Sequence, residues 1–339
     1  MITLMKQKLN IAKIPSVLPG EIWGVASYFN PTNSPLFQEN VELFSQSVRS
    51  QGLKLLIVEL AFGNAPFEVD DKLADIVVRK RSNTVLWQKE RLINLGIESL
   101  PSACDKVVWL DADILFENNS WVEQTSELLQ SYVMLQPYQH ACWLPRGSRT
   151  ADKELPRGLG EGHTMPSMAF TLAHHTDHRK AMSDYFEHGH CGFAWAARRQ
   201  VLDKHKLYDR RILGGGDVAI AHSLYGDRDF WRGFNFYCRQ ITKKELSSIK
   251  LWGECIYEDV SGSVFYVEGR ILHLWHGEMA QRSYLDRQAI LKDNDYDPET
   301  DITIDDEGCW KWNSQKTSLH QQTRLYFDMR ISIANGGDC

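Results

Sequence analysis

The sequence predicts an α/β fold, a mostly parallel sheet flanked by helices, and three observations carry that expectation. Apolar runs of strand length alternate with segments of helical spacing through the first third of the chain. Several of those runs are almost continuously apolar, as in strands buried on both faces of a parallel sheet. The 339 residues, 43% hydrophobic and 24% charged, are enough for a full core in one large domain or two smaller ones.

Taken in order, "EIWGVASYF" reads as a first strand closed by the turn "NPTNSP". "LFQENVELFSQSVRSQG" sets Leu36, Phe37, Val41, Phe44 and Val48 at helical spacing and stops at Gly52. "LKLLIVELAF" is a second strand, "ADIVVRK" a short third, "TVLWQKERLINLGIESL" a second amphipathic helix and "KVVWLDADILF" a fourth strand. Such alternation implies right-handed crossovers, and ligands of these sheets sit beyond the carboxyl ends of the strands. Asp111, Asp113, Tyr28 and Glu59 occupy that kind of position.

Residues 140–190 are rich in Gly, Pro, His and polar side chains and read as irregular, lid-like or ligand-binding chain. "CGFAWAARRQVLDKHKLYD" follows as strand then helix, "RRILGGGDVAIAHSLYG" as glycine turn then helix, and "SVFYVEGRILHLWHGE" as two strands or a hairpin. From about residue 293 the tail is acidic and rich in turns.

Charge and composition exclude several classes. A net charge of −6 argues against a broad nucleic-acid surface. The longest apolar run, "LKLLIVELAF", is interrupted by Glu59 and is too short to span a membrane. The N-terminal stretch has no signal-peptide core. Seven cysteines without a C-x-x-C pair suit free thiols in a reducing, cytoplasmic setting. There is no P-loop and no G-x-S-x-G elbow.

Three features carry chemistry. Asp111 and Asp113 have D-x-D spacing, which on a strand points both carboxylates one way, toward a divalent cation that in turn binds phosphate. "HLWHG" offers His273 and His276, which converge on one metal only if the chain bends there; with a carboxylate they favour Mn²⁺ over an all-oxygen Mg²⁺ site. "LGGGDVAIAH" places Asp217 at a helix start after three glycines, more than an N-cap requires. "HHTDH" reads as an exposed histidine-rich loop, and "DNDYDPETD" as an acidic turn without EF-hand offsets.

In this order the pieces resemble GT-A-fold (Rossmann-like) glycosyltransferases, particularly the inverting beta-galactosyltransferase-like group. The likeness lies in "WQKERLINLG", "VVWLDADILF", "CGFAWAARRQVLDKHKLYDRRILGGGDVAI" and "ILHLWHG", together spanning roughly residues 20–285. It implies a single catalytic domain: a nucleotide-sugar half at 20–125, an acceptor and catalytic half at 126–290 with the lid-like segment 140–190, and a C-terminal extension at 291–339. It further implies a UDP-sugar donor, a divalent metal held by Asp113 and His276 with His273 beside them, and Asp111 toward the ribose. Trp87 would meet the uracil, Lys89 the diphosphate, and Asp217, beside Gly215 and Gly216, would act as general base toward a glycan or other hydroxyl acceptor. The family's tryptophans flanking the glycine turn are replaced here by Leu213 and neighbours, and its acidic cluster is reduced to Asp217. Acceptor identity therefore does not carry over. A sugar nucleotidyltransferase, a metal-dependent hydrolase and a non-catalytic nucleotide-sugar-binding protein are the rival readings.

Overall fold

A computed structural model describes residues 12–175, 178–226, 241–277 and 286–334. In chain order the strands are β1 (Glu21–Phe29), β2 (Lys54–Phe62), β3 (Ile76–Ser82), β4 (Cys104–Leu110), β5 (Ile114–Phe116), β6 (Met134–Gln136) and β7 (His140–Trp143). Then come β8 (Thr164–Pro166), β9 (Ala194–Arg198), β10 (Val264–Tyr266), β11 (Arg270–His273), β12 (Ile302–Ile304) and β13 (Trp310–Trp312). The helices are α1 (Pro35–Ser50), α2 (Lys89–Glu98), α3 (Trp121–Leu128), α4 (Met168–His174), α5 (His178–Met182) and α6 (Tyr185–His188). They continue with α7 (Arg199–His205), α8 (Gly216–Leu224), α9 (Lys243–Val260), α10 (Asp286–Asp293) and α11 (Thr317–Ala334).

Seven strands form the main sheet in the order β10-β6-β9-β4-β1-β2-β3. The pairs β1–β2, β2–β3, β1–β4 and β6–β10 are parallel, and only β9 runs against its neighbours β4 and β6. The expected α/β fold with a mostly parallel sheet is therefore present. Near-continuous apolarity has its cause in two cores. Val107 and Trp109 of β4 and Leu56, Val58 and Leu60 of β2 face the core under α2, whereas Val108, Leu110, Leu55 and Ile57 face the one under α1.

Two expectations are corrected and two are resolved in detail. The fourth strand stops at Leu110; the chain turns at Asp111-Ala112-Asp113 and starts β5 in a second sheet, ordered β5-β11-β7-β8. Of the two readings of "SVFYVEGRILHLWHGE", two strands rather than a hairpin are present: β10 joins the main sheet and β11 the second one. The 140–190 segment is less irregular than its composition suggests, since it supplies two strands of that sheet and three short helices. The acidic tail contains the β12–β13 hairpin and α11, which pack on Leu86, Ile212 and Leu213. In its turn, Asp301 accepts from the backbone of Asp297 and from Lys316, both at 2.8 Å. Of "HHTDH", Thr176 and Asp177 lie outside the described residues. Among the described residues no helix is long and apolar enough to cross a membrane.

Helix α2 packs so closely on the sheet that a Cβ added at Gly96 would lie 2.4 Å from Val25 Cγ1 and 2.9 Å from Val58 Cγ2. Gly96→Ala is expected to destabilise the protein by about 1–3 kcal/mol through overpacking, read as a lower urea midpoint. An unchanged midpoint would contradict this packing.

Candidate functional site

The turn after β4 divides the two aspartates. Asp111 donates its backbone N–H to the Phe193 carbonyl at 2.8 Å, and the Asp113 carbonyl accepts the Leu274 N–H at 2.8 Å. The i, i+2 alternation of a strand does not apply here, so each carboxylate has its own partners. Register sets those of Asp113: Ile114 pairs with His273 across β5 and β11. Beyond His273 the chain leaves regular structure, which lets His276 turn back. Asp113 Oδ2 lies 3.2 Å from His276 Nε2 and 3.7 Å from His273 Nε2. One donor atom from each of the three residues falls within 4.8 Å of the others.

The bend holding His276 is tied down on both sides. The Asn40 amide donates to the Trp275 carbonyl at 3.2 Å, and the Trp275 indole donates to Glu161 at 2.6 Å. Phe37 and Phe193 pack on His276 and His273 at 5.4 and 5.0 Å between ring centres. His273 is almost enclosed while Asp113 keeps about a fifth of its side chain exposed, so the cluster opens on the aspartate side. One carboxylate and two imidazoles suit a borderline first-row cation.

The glycine turn lies across the sheet's end. Gly214 and Gly215 have φ of +79° and +85°, which a side chain would resist. Gly216 is needed for a different reason: a Cβ there would sit 2.6 Å from Glu90 Oε1. The N-cap of α8 is Gly215, and Asp217 is the second helical residue, its Oδ1 accepting the Val218 N–H at 2.9 Å. The other carboxylate oxygen and the His190 ring close on Gly192, where an added Cβ would lie 2.7 Å from Asp217 Oδ2 and 2.9 Å from His190 Cε1.

Between these features lies a cluster of charged side chains, of which Glu90 is buried and Lys89, Asp111 and Asp217 are partly buried. Lys89, at the start of α2, forms an ion pair with Asp111. Burial opposes the Lys89 ammonium, yet Asp111, Glu90 and Asp217 together outweigh it and hold Lys89 above its usual value. Burial raises Asp111 against the pull of Lys89. Burial also pushes Glu90 up to about 7, with Lys89 opposing and Asp217 adding to the rise. His190 is pushed down to about 4 by burial, with Asp217 opposing. Its Nδ1 accepts the Gly192 N–H at 3.0 Å, which leaves the ring proton on Nε2. Three carboxylates thus share one ammonium, and burial holds both Glu90 and Asp111 above the usual carboxylate range.

The remaining expected residues have other surroundings. Trp87 is half-buried, edge-on to Phe29 at 5.3 Å, with the Arg287 guanidinium 5.8 Å from its ring. Tyr28 and Glu59 are neighbours across β1 and β2, and both are engaged with the following loop. The Tyr28 hydroxyl donates to the Glu68 carboxylate, and Glu59 accepts the backbone N–H of Glu68 and of Val69, the latter at 3.1 Å. Burial holds the Glu59 carboxyl above its usual range. Sequence reasoning missed Glu90, His190, Gly192 and Arg287. For Glu90 a signal existed: a carboxylate on the apolar face of α2.

No family model matches the sequence, and no curated protein matches it. Among solved structures the chain is similar to glucosyl-3-phosphoglycerate synthase from Mycobacterium tuberculosis in complex with Mg²⁺ and UDP, at 11% identity over 80% of this chain and 77% of that one, with a TM-score of 0.41. It is also similar to S. aureus TarS 1–349 in complex with UDP-GlcNAc, at 10% identity over 60% of this chain and 53% of that one, TM-score 0.35. A third is 4-diphosphocytidyl-2C-methyl-D-erythritol synthase from Anaerococcus prevotii, at 11% identity over 74% of this chain and 87% of that one, TM-score 0.33. Likenesses this distant carry no functional argument, so the side chains must stand by themselves.

Glu90 gives the site a pH signature. An unfolded glutamate releases its proton near 4.5, whereas the folded one keeps it to about 7. Between those values the folded state binds more protons, so this group's contribution to stability falls as pH rises, by on the order of 3 kcal/mol in all. Glu90→Gln is expected to gain stability relative to the parent chain as pH is raised from about 5 to about 8, read by urea unfolding. Parallel pH profiles would contradict it.

Proposed function

We propose that the protein is a metal-dependent glycosyltransferase that moves a sugar from a nucleotide-sugar, a UDP-hexose, to an acceptor hydroxyl with inversion. The observation that carries this reading is the convergence of Asp113, His273 and His276 beyond the carboxyl end of β4, next to the Lys89–Asp111–Glu90–Asp217 cluster. Asp113, His273 and His276 would hold the cation, Mn²⁺ in preference to Mg²⁺ because two donors are imidazoles. Bound there, it supplies Lewis-acid stabilisation of the charge that develops on a leaving diphosphate.

The chain's own residues take the other roles. Asp111, oriented by Lys89, faces the ribose, and Lys89 brings positive charge to the diphosphate. Trp87 with Phe29 offers an aromatic surface to the uracil, while Tyr28 and Glu59 shape the loop bordering it. Gly215 allows close approach of ligand to backbone while Gly216 admits Glu90 beneath the turn, and Asp217 takes the acceptor's proton as attack proceeds. Residues 20–125 form the donor half and 126–290 the catalytic half, and Leu291, Ile302, Trp310 and Phe327 of the C-terminal extension at 291–339 pack with Leu86 and Leu213. Glu161, bonded to Trp275, is where segment 140–190 would respond to an occupied site.

Against a nucleotidyltransferase, the turn after β1 is "NPTNSP", neither glycine-rich nor basic. The Asp–His–His cluster also suits a metal-dependent hydrolase, and product analysis with and without acceptors separates the two. Asp113→Ala is expected to weaken Mn²⁺-supported UDP binding by about a hundredfold, ~3 kcal/mol, in calorimetry; affinity that still rises with Mn²⁺ would remove Asp113 from the site. Asp217→Asn is expected to keep Mn²⁺ and UDP affinity while transfer falls by roughly 10²–10⁴-fold. Unchanged turnover would remove Asp217 from the base role.

A further inference from the structure

A second group of metal-ligating side chains lies behind the candidate site. His188 at the end of α6, Cys191 three residues on, and His222 in α8 are all buried, and one donor atom from each falls within 4.8 Å of the others. His188 Nε2 and His222 Nε2 face each other at 3.3 Å. A tetrahedral cation with metal–nitrogen bonds of ~2.0–2.1 Å spaces two such nitrogens by about 3.3–3.4 Å. The other ring nitrogen of His188 meets the Gly189 carbonyl at 2.7 Å. That contact puts a hydrogen on Nδ1 and leaves the Nε2 lone pair facing the cluster, the orientation that a backbone carbonyl imposes on metal-bound histidines.

Cys191 Sγ lies 3.9 Å from His188 Nδ1, on the Gly189 side of the ring, and 3.5 Å from the Met168 sulfur. The buried hydroxyl of Tyr225, which follows α8, has no hydrogen-bond partner among the described residues. A hydrogen bond between the two imidazoles would account for their spacing alone. It would not account for a thiol and a thioether beside them.

We propose that His188, Cys191 and His222 form a structural site for a zinc-class divalent cation, separate from the Asp113–His273–His276 cluster and independent of the function assigned to it. On binding, the Cys191 thiol loses its proton to solvent as sulfur bonds the cation, and His222 presents its Nε2 lone pair by carrying its hydrogen on Nδ1. No electron changes hands. The cation clasps the chain entering β9 to α8. Because Asp217 lies on α8 and Gly192 follows Cys191, the clasp fixes the contact in which Asp217 and His190 close on Gly192.

The test uses the full chain with Asp113→Ala, which disables the other donor set, stripped of metal and titrated with Co²⁺. One equivalent is expected to bind with the visible ligand-field bands of tetrahedral Co²⁺ and a near-ultraviolet thiolate-to-cobalt charge-transfer band, both displaced by Zn²⁺. Adding Cys191→Ser is expected to abolish the charge-transfer band, and adding His222→Gln to weaken Co²⁺ binding at least tenfold. X-ray absorption of the Zn²⁺-loaded Asp113→Ala chain gives a reading that needs no further variant: one sulfur at ~2.3 Å with nitrogens at ~2.0 Å. Absence of the charge-transfer band, its persistence after Cys191→Ser, or a shell of oxygen and nitrogen alone would overturn the proposal.

Discussion

The change of sheet at Asp111-Ala112-Asp113 is the constraint on which the site depends. β4 is held in the main sheet by β1 and β9, and β5 in the second by β11. The connecting turn is therefore pinned at both ends, and its two carboxylates are aimed at different partners. Asp111 remains over the main sheet with Lys89 of α2, whereas Asp113 is carried to the histidines that end β11. Since the two sheets meet at this turn, movement of either would separate the two clusters.

Crowded charge adds a second constraint. Asp111, Glu90 and Asp217 surround Lys89, and Glu90, the most deeply buried of the three carboxylates, has its carboxyl pushed up to about 7. Three close approaches of backbone make that density possible. Gly216 admits Glu90, Gly192 admits Asp217 and His190, and Gly96 brings α2, with Lys89 and Glu90 at its start, down onto the sheet. An inward-facing glycine thus serves here chiefly by what it lets approach.

Much of this was legible in the sequence, and the remainder has physical reasons for being hidden. The first four strands and two helices follow from apolar periodicity, and the glycine turn before Asp217 follows from composition. The meeting of Asp113 with His273 and His276 was expected on the condition that the chain bend after His273, and it does. The pairing of β5 with β11 was not legible, because each is only three or four residues long and its register is set across a large sequence separation. The 140–190 segment looked irregular for a similar reason, since β7 and β8 are too short to show a period. Glu90 was overlooked because a lone carboxylate on a helix is ordinarily solvated; its place on the apolar face of α2 was the available signal, and its packing on Gly216 confirms the burial. His190 and Gly192 carry no local pattern at all.

The central claim is that Asp113, His273 and His276 hold one divalent cation that carries a nucleoside diphosphate. The most direct measurement is anomalous diffraction from crystals of the full chain soaked with Mn²⁺ and UDP. A manganese peak is expected among the carboxylate of Asp113 and the two imidazoles, with diphosphate oxygens completing its shell. A peak elsewhere, or UDP bound with no manganese at these three side chains, would contradict it.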